Sequence, residues 1–396
     1  MKATRFSGPT LYSDQYPPLE GFPTSFNPDY YQFMDDFEGK IVDTTNYWTF
    51  DSINNGTLSV YDASGATPAP YDNTSHGVCE IRSEAVDPSG PLTLNSGGTM
   101  YSYINFQPFV RGQSVFYESR VGITNPKNCD FFTGIIPSNA IANPFNPVAN
   151  SFRTGFRLVE SDGTGKIECV SFAAQAESKV TDFDMPRAIP IYLSSTAGEN
   201  GNDGPSDRFG IANLGLHISH MAPRVKDSSD YQIIIKYFIN RKLVHTTVAD
   251  KANPVFTNNN YSIITSYKKV SNRAGVTLQT DLPNTTADVY AYIDIPGTEN
   301  NNGSGLSTGT FLKVGNEYLR VLGLSPANKV GSRHYALVAR AQLGTAADTH
   351  TAGATITEDT GSCLTDYSAL STNRYPVYQD VPNVNSQYLV DGFKTR

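Results

Sequence analysis

The chain has little charge, little sulfur and no long apolar run. Asp, Glu, Lys and Arg make up 17% of its 396 residues, below the roughly 25% usual for soluble proteins. The 30 basic and 38 acidic side chains give a net charge of −8, and they form no block of one sign. An acidic chain without a basic stripe is a poor candidate for binding nucleic acid. No apolar stretch approaches the roughly 18 residues that a membrane helix needs. The opening MKATRFSGPTLYSDQYPPLEGF lacks the apolar core of a signal peptide. Four cysteines, Cys79, Cys129, Cys169 and Cys363, are far apart and form no CxxC pair. That spacing argues against a zinc site and against a disulfide framework, and it leads us to expect synthesis in a reducing cytosol. Helical periodicity is also missing, since no segment sustains it for three turns.

What fills the chain instead is aromatic, polar and turn-forming: 23 Tyr, 21 Phe, 32 Gly and 24 Pro. Residues 1–34 interleave Pro9, Pro17, Pro18, Pro23 and Pro28 with Tyr12, Tyr16, Phe22, Phe26, Tyr30 and Tyr31. Proline at that density prevents helix and central strand, while the rings are costly to leave in water. The expectation is an extended anchoring arm whose six aromatics contact the chain's own body or a neighbouring subunit.

Residues 35–272 read as strand after strand. TLSVYDA, GVCEIRSEA, TMYSYINF, SVFYESRVGI, GFRLVE, KIECVSFAA, YQIIIKYFIN and KLVHTTVA are β-branched or aromatic runs bounded by Gly, Pro, Asn and Asp. Asp162-Gly163 and Asn240-Arg241 mark hairpins. The expected body is a β-sandwich or jelly roll. Residues 273–371 form a second, smaller unit with strands VTLQT, DVYAYIDI, TFLKVG, EYLRVLGL and YALVARA, a Gly315-Asn316 hairpin, and a loop at 296–309. It suits a small β-barrel or compact sandwich. Residues 372–396 are expected to be an extended tail.

One stretch of the small unit, ARAQLGTAADTHTAGATI at 339–356, looks like chemistry, with Arg340, Asp348 and His350 close together. Catalysis would need a nucleophile or second acid in reach, and Thr345 and Thr351 carry no such signature. The simpler reading is that Arg340 ends a strand, Gly344 permits a turn, Gly353 starts the next strand, and His350 and Thr345 fasten the loop to nearby backbone.

Two resemblances follow from these residues. MDDFEGKIVDTTNYWTF, GTLSVYDASGA, FVRGQSVFYESRVGI, DFFTGI and FRTGFRLVE resemble the concanavalin A-like (laminin G-like) jelly rolls over about residues 35–270. Arg340, Gly344, Thr345, Ala347, His350 and Gly353 resemble the pattern Arg-Gly-x-x-Gly-Thr-x-Ala-x-x-His-x-x-Gly that ends small β modules of tailed-bacteriophage virion proteins. Ala341 replaces the first Gly of that pattern, so a less extreme backbone is expected there. FLKVGNEYLRVLGL resembles the same module's central hairpin. Together they imply an all-β chain: a concanavalin A-like jelly-roll sandwich followed by a small β-barrel or sandwich, with extended N- and C-terminal arms.

The jelly-roll family includes glucanases, which place Glu-x-Asp-x-x-Glu on one strand. The nearest match is Glu160-Ser161-Asp162, but Gly165 stands where the second Glu belongs, and Asp162 falls in a hairpin turn. Glu80, Arg82 and Glu84, and likewise Glu118 and Arg120, read as solvated cross-strand ladders. His217 and His220, three apart on a strand, point to opposite faces and share no metal. ENGNDGPSD (199–207) carries oxygen ligands enough for calcium without the spacing of a calcium loop; no other cofactor is indicated. Trp48 reads as core.

The function expected on this basis is that of a bacteriophage virion structural protein without catalytic residues, metal or enzymatic activity. It would be a capsid decoration or cement protein bound to the major capsid protein, forming a homo-oligomer such as a trimer. It would act in the virion after synthesis in the host cytoplasm, with no nucleic-acid or membrane partner. The alternative is a tail or receptor-binding component whose jelly roll grips a host saccharide, and the third reading is a glycoside hydrolase.

Overall fold

The computed structural model describes residues 30–35, 37, 42–60, 78–83, 94–102, 113–123, 126, 128–145, 153–159, 165–171, 177–184, 212–221, 232–250, 260–271, 277–278, 280–283, 290–296, 310–324 and 333–374. Among them there is no α-helix, and Ser138–Ala140 forms one turn of 3-10 helix. The first strands are β1 (Tyr30–Asp35), β2 (Trp48–Ile53), β3 (Thr57–Val60), β4 (Cys79–Arg82), β5 (Ser96–Ser102), β6 (Gln113–Ile123) and β7 (Cys129–Pro137). Next come β8 (Thr154–Leu158), β9 (Lys166–Ser171), β10 (Glu177–Asp184), β11 (Ala212–Met221), β12 (Gln232–Ile239), β13 (Lys242–Asp250) and β14 (Tyr261–Lys269). The rest are β15 (Tyr290–Pro296), β16 (Phe311–Val314), β17 (Glu317–Leu324), β18 (Arg333–Gln342), β19 (Ile356–Asp359) and β20 (Ser362–Arg374).

Two antiparallel sheets form a jelly-roll-like sandwich. The eight-stranded sheet runs β13-β12-β11-β6-β20-β4-β3, with β1 also paired to β20, and the seven-stranded sheet runs β10-β9-β8-β7-β14-β5-β2. Alternation along each strand decides which side chains enter the space between the sheets. Val115, Tyr117 and Val121 of β6, Leu214, Leu216 and Ile218 of β11, and Ile233, Ile235 and Tyr237 of β12 meet Phe131 and Ile135 of β7, Phe156 and Leu158 of β8, and Ile263 and Tyr267 of β14. Two tyrosines bolt the layers together. Tyr117 Oη lies 2.5 Å from Thr133 Oγ1, and Tyr237 Oη donates to the Val170 carbonyl at 2.8 Å and lies 2.9 Å from Thr154 Oγ1. Trp48 belongs to this core and donates its indole N–H to Asp35 at 2.6 Å.

The small unit forms one five-stranded antiparallel sheet, β15-β18-β17-β16-β19. VTLQT, read as a strand, contributes only single bridges, Thr277 to Thr355 and, just beyond it, Leu282 to His350. The boundaries of this unit differ from the reading at 273–371. β20, placed by sequence inside it and in the following tail, pairs along β6 from Cys363 to Arg374 in the eight-stranded sheet. The module is therefore an insertion between β14 and β20, and the chain returns to complete the sandwich. The sequence hid this because pairing between residues more than two hundred positions apart leaves no local signal.

The arm reading is corrected at its end. Tyr30 and Tyr31, assigned to an extended arm, lie in β1, paired to Asn373 and Thr372 of β20. Tyr12, Tyr16, Phe22 and Phe26 lie outside the described residues, as does most of the 372–396 tail.

Candidate functional site

The 339–356 loop is built around a carboxylate that sequence reasoning passed over. Glu317, the first residue of β17, is fully buried. It accepts from Arg340 Nε at 2.9 Å and Nη2 at 2.7 Å, and from the amides of Ala341 and Asp348 at 3.1 Å each. His350 Nε2 lies 2.9 Å from the same carboxylate. Burial opposes ionisation of Glu317, but the donors from Arg340, Asp348, Ala341 and His350 outweigh it and hold the carboxyl below its ordinary value. Arg340 also donates to the carbonyls of Pro283 and Asp348. Backbone bonds between His350 and Leu282 run in both directions, at 2.7 and 2.9 Å.

The imidazole was expected to bond nearby backbone; it meets Glu317 instead, while the His350 main chain does the backbone pairing. Thr345 receives the Tyr318 amide at 3.0 Å and donates to the Gln342 carbonyl at 2.7 Å. Gly344 and Gly353 take φ of 76° and 87°. Gly353 does not start a strand at once, because β19 begins at Ile356. Ala341 departs from expectation too: its φ is 52°, a left-handed backbone despite its Cβ, held by the hydrogen bond its N–H donates to Glu317. The side chains of Glu317, Arg340 and His350 are buried and bonded to one another, which makes the cluster a fastening.

A different face carries unspent binding capacity. Strand alternation directs Asp51, Thr99, Ser266, Phe132, Arg157 and Glu168 outward as one row across β2, β5, β14, β7, β8 and β9. The turn Ser138–Ala140 and the residues after it fold back over part of this row, where Ala140 and Phe145 pack on Phe132, Ile136 and Ile264. Beneath lies Arg153, just before β8 and 1% exposed. Its Nη1 donates to the carbonyls of Asn143 and Pro144, and its guanidinium lies 5.5 Å from the centre of the Phe132 ring. Nε and Nη2 meet no acceptor among the described residues. Burial and then the neighbouring charge of Arg157 push the Arg153 guanidinium down to about 9, so at neutral pH the cation persists at an energetic cost. The signal for it was present in FRTGFRL, where two arginines four apart on one strand share a face, but that stretch was read only as a strand.

The other cations on this face have partners. Arg157 holds Glu168 through Nε at 2.8 Å and Nη2 at 2.6 Å. Lys268 pairs with Asp130 at 3.1 Å and lies 5.1 Å from the centre of the Phe145 ring. Arg153, Arg157 and Lys268 thus face two carboxylates, Asp130 and Glu168. The backbones of those two acids sit two strands and two residues apart, roughly 12 Å from strand geometry; the paired carboxyl groups of glycosidases lie about 5–9.5 Å apart. Asp51 is five strands from Glu168, farther still.

The remaining sequence candidates are accounted for individually. Glu80 and Glu118, read as solvated ladder residues, are buried, at 4% exposure each; the outer face of the eight-stranded sheet is closed where they lie. His217 is buried and stacked on Phe116 with ring centres 4.2 Å apart. Among the described residues no cluster of three His, Cys, Asp or Glu side chains could hold a metal. Glu84, Glu160, Asp162 and the 199–207 stretch lie outside the described residues.

No family model matches the sequence, and no curated protein does. Solved structures do share its architecture. Endo-1,3-beta-glucanase from Streptomyces sioyaensis is 13% identical, with 88% of this chain and 98% of that one covered and a TM-score of 0.41. The endo-beta-1,3-glucanase from Pyrococcus furiosus is 11% identical over 86% and 93%, with a TM-score of 0.37. The laminarinase catalytic domain from Thermotoga maritima is 10% identical over 87% and 98%, with a TM-score of 0.36. These findings overturn the expectation of a non-enzymatic bacteriophage virion protein: the structures similar to this chain are glycoside hydrolases, and nothing in the comparisons points to a virion. At such identity the likeness extends to the all-β sandwich and transfers no activity.

Proposed function

We propose that this chain is a carbohydrate-active sandwich protein that takes an anionic polysaccharide, one bearing uronate or sulfate groups, on the outer face of its seven-stranded sheet. The observation that carries this reading is the buried Arg153 guanidinium with Nε and Nη2 lacking any acceptor among the described residues. Those two donors form the fork that pairs with a carboxylate or sulfate through two parallel hydrogen bonds; because Arg153 is 1% exposed, the Asn143–Pro144 backbone bonded to it shifts to admit the anion. Partly exposed Arg157 and Lys268 extend the positive surface beside it. The partly exposed Tyr101 ring supplies flat apolar area of the kind that sugar faces stack on.

Affinity electrophoresis of the full chain in gels containing acidic or neutral polysaccharides tests the reading. Retention by uronate- or sulfate-bearing chains, weakened about tenfold or more in R153M, is expected from the loss of charge-assisted bonds worth about 1.5–3 kcal/mol. Equal retention by neutral glucans, or none by either class, overturns it.

A further inference from the structure

The neck of the inserted module holds a second piece of unused chemistry. Lys269 ends β14, where the chain leaves the sandwich, and Asp359 ends β19, three residues before it re-enters as β20. Lys269 Nζ lies 3.3 Å from Asp359 Oδ1, with the two side chains only 2% and 0% exposed. We propose that Lys269 and Asp359 condense into an intramolecular isopeptide bond that ties the module to the sandwich.

The step balances without a redox partner or co-reactant. The Asp359 carboxylate takes a proton from the Lys269 ammonium, leaving an amine beside a carboxylic acid. The nitrogen lone pair attacks Cγ, the C–OH bond breaks, and the hydroxyl leaves as water with a second proton from nitrogen. The product is a neutral amide.

Three observations favour it. The two groups are held in direct contact, with Lys269 Nζ 3.3 Å from Asp359 Oδ1, and holding reactants together substitutes for high concentration. Burial penalises the charged reactants, at 2% and 0% exposure, and leaves a neutral amide untouched by that penalty. The frame is also rigid: Tyr267, two residues before Lys269 on the same strand, is fully buried. Gly361 packs so closely there that a Cβ on it would stand 1.9 Å from Tyr267 Oη and 3.8 Å from Lys269 Cδ. The bond would close the whole module into a covalent loop and keep it registered on the sandwich even while its own small core opens.

The deciding measurement is the mass of the purified full chain after denaturation, with allowance for removal of Met1. A species lighter than the sequence by one water (about 18 Da) is expected, with a branched peptide joining the segments that contain Lys269 and Asp359 after proteolysis. K269M and D359A should return to the unmodified mass, and because mass is read on denatured chain, folding of the variants does not affect the result. A wild-type mass equal to that of the sequence overturns the proposal. So does a loss of water that persists in K269M, or a branch mapped to other residues.

Discussion

Truncating Glu317 should unfasten the inserted module while leaving the sandwich intact. In E317A the buried Arg340 guanidinium, 2% exposed, loses its two-pronged partner, and the amides of Ala341 and Asp348 lose their acceptor. Removing one member of a buried pair costs about 3–5 kcal/mol. Among the described residues the module's core cluster holds eight buried apolar residues from Leu278 to Ile356, so a loss of that size takes much of the roughly 5–15 kcal/mol a domain has. Hydrogen exchange read by mass spectrometry is the suitable assay because it resolves the two units. Amides of β15–β19 should lose protection by about 3 kcal/mol or more, and those of β7 and β14 should keep theirs. E317M/R340M, which removes both charges, should recover a substantial part, since apolar replacement of a buried pair is often neutral or stabilising by about 1–4 kcal/mol. The pH dependence has a definite sign. Glu317 is held below its ordinary 4.5 in the folded chain, so its contribution is complete above that value and disappears as pH falls through the depressed one. The double variant should lack that acid step. If E317A stays within about 1 kcal/mol of wild type, the network is ornamental and the reasoning fails.

Other outcomes are equally checkable. Ala341 at φ 52° carries a left-handed penalty of about 1–2 kcal/mol, so A341G should raise the module's unfolding free energy in urea by about 1 kcal/mol, and a decrease would refute the strain. G361A would set a Cβ 1.9 Å from the buried Tyr267 hydroxyl and should cost about 1–3 kcal/mol in thermal unfolding; Y267F/G361A should regain part of this, and no regain would place the clash elsewhere. Burial pushes the Cys363 thiol up to about 12 and the Cys79 thiol well above its ordinary value. The four buried cysteines, none in a disulfide, should therefore resist a thiol reagent at pH 8 until denaturant is added; rapid labelling of Cys79 or Cys363 in the native chain would contradict the packing.

Much of the architecture was determined locally and could be read from the sequence. β6, β8, β9, β12 and β13 lie where alternation placed them, because a strand between two layers must present apolar side chains at every second position. Asn240 and Arg241 take φ of 49° and 66°, the turn their break in pattern implied. Arg340 and His350 also stood out as a linked pair. Their common partner did not, because Glu317 lies 23 and 33 residues away and an isolated Glu at a strand start looks like any other.

Only the tertiary structure decided the rest, and in each case the cause is the same: the energy lies in contacts between segments distant along the chain. β20 belongs to the sandwich because β6 and β4 offer it unpaired edges, which no pattern within Ser362–Arg374 announces. Arg153 becomes a candidate by being buried without a counter-charge among the described residues, a property of what surrounds it and not of its identity. Lys269 and Asp359 become candidates for reaction because the insertion brings its two ends to one neck. The sequence alone determined many of the strand segments and the alternation that turns one side of each inward. Only the folded chain determined which strands would be neighbours, and with them which charges would be left to act.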